Sequence, residues 1–447
     1  MTFLRDLLGI PGASSDPAAL AAAARDRSGA DPDGLPLAVV RAEDIDGVRE
    51  TLRLAHAHHV PVVPRGAGTG LAGGALAGTG AVVLDVSAMD RIVEIDPVDE
   101  LAVVEPGVLT ATLDAAAAEH GLRYAPDPAS AAISTIGGNI ATNAGGMRCV
   151  KYGVTREAVL GLDVVLADGT LVSTGRRTVK GVSGLDLTAL FVGSEGTLGV
   201  IVGASLRLRA LPERTLTAAA GYDDVASAAR ACGDLARARR DPAMLELLDG
   251  LTLDVIDRAQ GTDHGRRSRA LVIAQADGPA ADAEIAAIAE VLGKEASWVE
   301  QGVDAASSDA LLAARRLALP SIERFGKALI EDICVPRSRL ADAFAAVEEI
   351  AAEHRVAIYS FAHAGDGNLH PIIGYSGEAR PAGVQRAADA IFRLALDLGG
   401  TVTGEHGVGL LKRDWLAREV GPDVLGLHAS VKAALDPRGI LNPGKAL

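Results

Sequence analysis

Five glycines crowd into residues 66–74 of Pro64-Arg-Gly-Ala-Gly-Thr-Gly-Leu-Ala-Gly-Gly-Ala75, and this stretch limits the possible folds more than any other. Glycine takes φ > 0 without a Cβ penalty and lets the backbone come close to a ligand. Several N–H groups can therefore converge on one anion, and Arg65 stands at the entrance. Residues 60–63 read as a short strand that Pro64 closes, because proline has no N–H for a ladder. A nicotinamide-type nucleotide fold would need a helix opening at the last glycine, with a pyrophosphate at its N-terminus. Instead Gly73, Gly74, Gly78 and Gly80 break the following segment, and residues 81–87 are strand-like again. The loop joins two strands, which argues against the nicotinamide reading.

Two further stretches share this character. Residues 126–146 are almost uncharged and dense in Ser, Thr, Asn and Gly, with little apolar surface to bury and many polar groups to offer. They read as wrapping a polar ligand. Phe191-Val-Gly-Ser-Glu-Gly-Thr-Leu-Gly-Val-Ile201 adds glycines at 193, 196 and 199. Glycine reaches 51 of 447 residues, above the usual ~7%, and the excess falls in these loops. A formal charge of −15 disfavours nucleic acid or an anionic membrane as the main partner. An anionic ligand must then be held by backbone amides and a few chosen cations.

The remainder reads as α+β. A helical lead-in over residues 1–34 precedes a strand near 37–40 and a helix opening at Glu43-Asp44. His56, His58 and His59 at the end of that helix read as a solvated face, not a metal cluster. Strands are expected near 82–86, 92–95 and 101–104, and a helix over 110–120. The hairpin signal Asp168-Gly169 joins strands 159–166 and 171–174. Past Leu211-Pro212 the composition changes, and residues 213–400 alternate helix and strand signals as a second α+β domain. Its helices are expected over 226–239, 280–292 and 339–354, and its strands over 270–275 and 358–362. Cys149, Cys232 and Cys334 are odd in number and far apart, which fits a reducing compartment. No run of ~20 uncharged apolar residues and no secretory start is present, so a soluble, cytoplasmic protein is expected.

The glycine loop, the Ile136-Gly-Gly-Asn139 stretch and Gly193-Ser-Glu-Gly-Thr-Leu-Gly199 together resemble the FAD-binding half of the vanillyl-alcohol oxidase (PCMH-type) flavoproteins. The rest resembles the FAD-linked oxidase C-terminal domain, and the whole is most similar to D-2-hydroxyacid dehydrogenases, including D-lactate dehydrogenases and the FAD subunit of glycolate oxidase. The resemblance implies a PCMH-type FAD-binding domain of two α+β subdomains over 35–212, an α+β cap over 213–400, and a tail over 401–447 returning to the first domain. It implies FAD contacts at Pro64, Arg65, Gly66, Ala67, Gly68, Thr69, Gly70 and Gly73 on the first loop. On the second stretch it implies Pro126, Ser130, Ile136, Gly137, Gly138, Asn139, Thr142, Asn143 and Gly146, followed by Tyr152. Glu195, Gly196, Gly199 and Ile201 follow, and Asn442 comes from the tail. Ala67 stands inside the glycine loop, so the FAD is expected to be non-covalent.

The strongest chemical signal is His363-Ala-Gly-Asp-Gly-Asn-Leu-His370, two histidines at the lips of a tight turn between strands. Two imidazoles and a carboxylate suit a borderline cation such as Zn²⁺ or Mn²⁺, and Glu405 in Gly404-Glu-His-Gly407 is the carboxylate candidate. The resemblance agrees, assigning His363, His370 and Glu405 to the metal and His406 to the base. It also makes Arg315, of the pair Arg315-Arg316, the substrate's carboxylate partner. Relatives acting on longer dicarboxylates carry a lysine just before the aspartate matched by Asp332 and an asparagine two positions after the second histidine. Here Glu331 and Ile372 stand there, which favours a short substrate such as lactate or glycolate. A 2-hydroxyglutarate-type enzyme, a metal-free FAD alcohol oxidase and a non-catalytic flavin-binding subunit stay open. So do the electron acceptor (quinone, cytochrome or electron-transfer flavoprotein) and a homodimeric state.

Overall fold

A computed structural model describes residues 2–447 except Val179 and Glu378. The chain forms two compact units, one of Met1–Gly146, Gly153–Leu211 and Glu405–Leu447, the other of Met147–Tyr152 and Pro212–Gly404.

The first unit contains two α+β subdomains. In one, a four-stranded sheet runs in the order Ala13–Ser14, Ala38–Arg41, Val82–Asp85, Val62–Arg65. The last three strands are parallel. Val62–Arg65 and Val82–Asp85 are therefore joined by a long crossover, residues 66–81, which is the glycine loop itself. Parallel neighbours need a connection of a dozen or more residues, usually a helix; here the loop replaces it. Pro64 does not close its strand. It pairs opposite Leu84 on the edge strand, where a missing N–H breaks no ladder bond on the far side. Leu7 and Ile10 join the core of this subdomain, and Ala13–Ser14 adds a strand, so the N-terminal residues are part of the sheet and not only a helical lead-in. His59 caps the helix Ile45–His58 in the left-handed region, and His56, His58 and His59 enter no potential metal cluster among the described residues.

The second subdomain is an antiparallel five-stranded sheet, ordered Ile92–Asp96, Leu101–Val104, Val200–Arg207, Val159–Val165, Leu171–Gly175. The Asp168-Gly169 hairpin is present, with Gly169 at φ +82°. Within the uncharged stretch, Thr135 caps a short helix, Ile136–Thr142, whose Ile136 and Ile140 enter the core. The wrapping segment expected from composition is thus partly helical, because two isoleucines four residues apart share one helix face.

The second unit is built on an eight-stranded antiparallel sheet. Its order is Trp298–Gln301, Thr215–Tyr222, Ala270–Asp277, Met244–Asp249, Ala357–His363, Asn368–Tyr375, Lys327–Ile330, with Ile333–Cys334 also pairing Asn368–Tyr375. Ala270–Asp277 is buried at every position, as a strand covered on both faces must be. The helices Gly250–Gln260 and Ala305–Glu323 share a core with it. No helix among the described residues is long and apolar enough to cross a membrane.

Candidate functional site

In the first unit the three glycine-rich stretches, far apart in sequence, lie against one another. A Cβ on Gly66 would fall 2.3 Å from Thr135 Oγ1, one on Gly196 3.0 Å from Pro64, and one on Gly74 3.0 Å from Glu195 Oε2. Space beside Gly70 is open. The backbones can approach this closely only because side chains are missing there. Gly68 takes φ +68° and Gly73 φ +81°, conformations that favour glycine.

Several of the polar side chains implied for the cofactor are engaged within the protein. Arg65 Nη1 donates to the carbonyl oxygens of Arg25 (2.7 Å) and Ala23 (3.4 Å), and burial depresses its pKa. Asn139 Nδ2 donates to Thr110 Oγ1 at 2.6 Å, Thr142 Oγ1 donates to the Gly138 carbonyl, and Asn143 Oδ1 accepts from Arg156 N–H. Gly146 packs on the Asp127 backbone, Gly137 on Pro106, and Gly199 on Val164. Ser130 accepts two turn hydrogen bonds through its carbonyl oxygen. Ile201 is buried in the five-stranded sheet. Tyr152 lies in the second unit, where its hydroxyl donates to Asp277 Oδ2 at 2.6 Å beside the Lys151–Asp277 ion pair.

The tail closes over the loops of its own unit. Asn442 Nδ2 donates to the carbonyl oxygens of Glu195 (2.7 Å) and Gly74 (2.9 Å). Lys445 Nζ donates to the carbonyl oxygens of Gly74 and Leu76 and to Asn442 Oδ1. Burial moves both ionisable groups, raising the Glu195 carboxyl to about 7 and lowering the Lys445 ammonium to about 8. His406 and Glu405 are adjacent in the segment leading to the tail, with Nε2 of one 3.9 Å from Oε1 of the other.

In the second unit the histidine hairpin forms on a single sheet face. His363 is opposite Asn368 and Phe361 is opposite His370, so the two histidines are diagonal cross-strand neighbours. Their rings meet edge to face with centroids 5.0 Å apart. Gly367 closes the turn at φ +89°, and a Cβ there would fall 2.1 Å from the Val335 carbonyl oxygen. On the next strand Glu246 is opposite His363 and wholly buried. Its Oε1 lies 2.7 Å from His363 Nδ1, and its Oε2 accepts from Arg315 Nε at 2.5 Å. Arg315 also stacks on Phe361, Cζ 4.3 Å from the ring centroid. Burial would push the Glu246 carboxyl up, but His363 and Arg315 outweigh it and hold the group below its ordinary range. Arg316, by contrast, is exposed and pairs with Asp309.

Asp332 is the second buried carboxylate. Its Oδ1 accepts from Asn368 Nδ2 at 2.5 Å and lies 3.9 Å from His370 Nδ1. Its Oδ2 accepts from Thr403 Oγ1 (2.8 Å) and Gly404 N–H (2.9 Å). Glu246 escaped the sequence reading, although a charged residue inside Met244-Leu-Glu-Leu-Leu-Asp249 is a signal: buried charge is rare unless paired.

Comparison with known proteins gives the family. A profile described as FAD linked oxidases, C-terminal domain, matches residues 211–446, and one described as FAD binding domain matches 36–175. The glycolate oxidase subunit GlcD of Bacillus subtilis is 41% identical over 92% of this chain and 89% of its own length. The chain belongs to the FAD-linked oxidases. A D-lactate dehydrogenase of Archaeoglobus fulgidus, also similar to this FAD-linked oxidase, is 35% identical over 92% of the chain and 91% of the relative. Among solved structures, a 4-ethylphenol oxidase from Gulosibacter chungangensis superposes with TM-score 0.81 at 20% identity, covering 100% of this chain and 96% of that one. p-Cresol methylhydroxylase superposes with TM-score 0.80 at 17% identity and the same coverage, and both establish the PCMH-type fold alone. The oxidase is an FAD-dependent oxidoreductase, and its close-packed glycine backbones fit that cofactor: they offer N–H groups, not a crowd of lysines, to a pyrophosphate.

Proposed function

We propose that this oxidase converts a short D-2-hydroxy acid, of the D-lactate or glycolate kind, to the 2-oxo acid. The observation that carries the reading is the Arg315–Glu246–His363 chain beside His370 on one sheet face. It offers a cation for a carboxylate and two imidazoles for a metal within a few ångströms of sheet. The names of the relatives, a glycolate oxidase subunit and D-lactate dehydrogenases, support the same CH–OH substrates.

FAD, when bound, would supply the acceptor for the hydride leaving the substrate Cα. A divalent cation, Zn²⁺ or Mn²⁺, when bound by His363, His370 and Glu405, supplies Lewis acidity to the substrate hydroxyl. Glu246 engages His363 Nδ1 and so fixes the ring orientation, as a carboxylate partner does for a metal-ligating histidine. Asp332 ties Thr403 and Gly404 to the edge that carries His370, so Glu405 starts one peptide bond from that anchor. Arg315 has its Nε occupied by Glu246 and its plane held on Phe361, so its Nη donors remain for a carboxylate in the bidentate geometry that guanidinium suits. His406 accepts the hydroxyl proton, since imidazole titrates near working pH.

Short substrates are favoured because Glu331 and Ile372 stand where relatives acting on longer dicarboxylates carry a lysine and an asparagine, and Ile372 pairs across the strands with the apolar Ile330. Anaerobic mixing with a panel of 2-hydroxy acids tests the reading. D-lactate or glycolate should bleach the flavin absorbance faster than D-2-hydroxyglutarate, and a panel in which no 2-hydroxy acid bleaches it would overturn the proposal.

A further inference from the structure

We propose that Glu195 is a positioning residue for His406, acting through the backbone of the turn that follows the histidine. The inference rests on the reading of His406 as the base. It also gives the Glu195 carboxylate a task other than contact with the cofactor.

Both carboxylate oxygens are committed. Oε1 accepts from Val408 N–H at 2.7 Å and Oε2 from Gly409 N–H at 2.9 Å. Those amides are two and three residues beyond His406. The turn between them passes through Gly407 at φ +83° and Gly409 at φ +51°. A Cβ on Gly407 would fall 3.1 Å from Glu195 Oε1, and one on Gly409 2.1 Å from the Ala72 carbonyl oxygen. That carbonyl accepts in turn from Leu410 and Leu411 N–H. The segment leaving His406 is thus gripped by a carboxylate on one side and by the glycine loop on the other. Flexible glycines on their own would let the turn wander.

The grip is itself fixed. Glu195 takes φ +51°, its N–H donates to the Ala141 carbonyl at 2.8 Å, and its carbonyl accepts from Asn442 Nδ2. Burying a carboxylate is costly unless its oxygens are satisfied. Two parallel N–H donors facing two oxygens satisfy a carboxylate, whereas a carboxamide would turn its NH₂ on one of them. The arrangement therefore specifies glutamate, not merely a polar residue.

The test uses the flavin-loaded enzyme with E195Q, H406N and the double variant. E195Q should keep wild-type flavin content and a KM within about twofold, while its single-turnover flavin reduction slows about 10- to 100-fold. The double variant should be no slower than H406N alone, because both changes remove one function. Hydrogen exchange over residues 405–411, followed without substrate, should accelerate at least about tenfold in E195Q. Gly407→Ala, which presses on the same contact from the other side, should give the same signature if E195Q does not accumulate folded. Wild-type reduction in E195Q, loss of its flavin, or a full additional slowing on the H406N background would each overturn the proposal. Near-normal turnover in H406N alone would instead remove the base assignment on which it stands.

Discussion

Replacing Glu246 with glutamine keeps the volume and removes one charge from the centre of the site in the second unit. In the native arrangement two donors converge on it, Arg315 Nε at 2.5 Å and His363 Nδ1 at 2.7 Å, with the carboxylate fully buried. Glutamine has one acceptor oxygen, so one donor meets an NH₂ group, and the buried guanidinium loses its counter-charge. Breaking a buried ion pair in this way costs about 3–5 kcal/mol. For a unit of this size each kcal/mol moves the melting temperature by roughly 2–4 °C, so E246Q should unfold about 6–20 °C lower. On the proposed reading, losing the group that orients His363 as a metal ligand should weaken metal binding by about 10- to 100-fold. Differential scanning calorimetry of the second unit's transition, with zinc content after dialysis against graded buffers, reads both effects. A melting temperature within about 1 °C of wild type and unchanged zinc retention would refute the argument, because either result means that Glu246 is not the shared acceptor.

Three further outcomes follow from the same geometry. Exhaustive chelation should abolish turnover while leaving the flavin bound, and Zn²⁺ or Mn²⁺ should restore it; indifference to the chelator removes the metal. Gly367→Ala forces a Cβ onto the Val335 carbonyl oxygen at a positive φ, so it should cost at least about 2 kcal/mol in chemical denaturation and loosen the two histidines. Asp249 caps the helix Gly250–Gln260, and burial, against its bonds from Thr252 and Ser360, raises its carboxyl to about 7. A raised carboxyl pKa favours the protonated fold, so this contribution is fully present below the unfolded value near 4 and is lost as pH rises through about 7. Denaturation midpoints measured from pH 4 to 7.5 should therefore flatten in D249N, and an unchanged slope would contradict the assignment.

Much of this arrangement was legible in local sequence. Glycines mark positive-φ turns, and the histidine hairpin announces itself through Gly365-Asp-Gly367 between apolar runs; the strand Ala357–His363 begins only one residue before its expected start. What was not legible depends on register between distant strands. Glu246 meets His363 across 117 residues because Met244–Asp249 happens to pair with Ala357–His363 in that frame. A shift of one residue would point Glu246 to the other face. Parallel pairing of Val62–Arg65 with Val82–Asp85 is likewise invisible locally, since a glycine loop between strands reads equally well as a hairpin connection. The short strand Ala13–Ser14 carries too few residues to show any period at all.

The pairing of Arg315 also bears on how an anionic substrate can be held by a chain of net charge −15. Arg315 carries one positive charge and Glu246 one negative, so this pair is electrically balanced before any ligand arrives. A hydroxy-acid carboxylate meeting Arg315 gains hydrogen bonds from the free Nη donors but little net attraction, because Glu246 opposes it through the same guanidinium. Bringing that anion out of water against a balanced pair is unfavourable by several kcal/mol unless another positive charge lies close. The imidazoles of His363 and His370, their rings edge to face with centroids 5.0 Å apart, are the groups proposed to gather a divalent cation. A cation bound there would restore a net positive field beside Arg315, the proposed carboxylate partner. On the proposed reading, the Arg315–Glu246 pair gives the metal a part in substrate binding as well as in acidity of the hydroxyl. On this reasoning chelation should raise the dissociation constant of an unreactive carboxylate analogue, not only slow turnover.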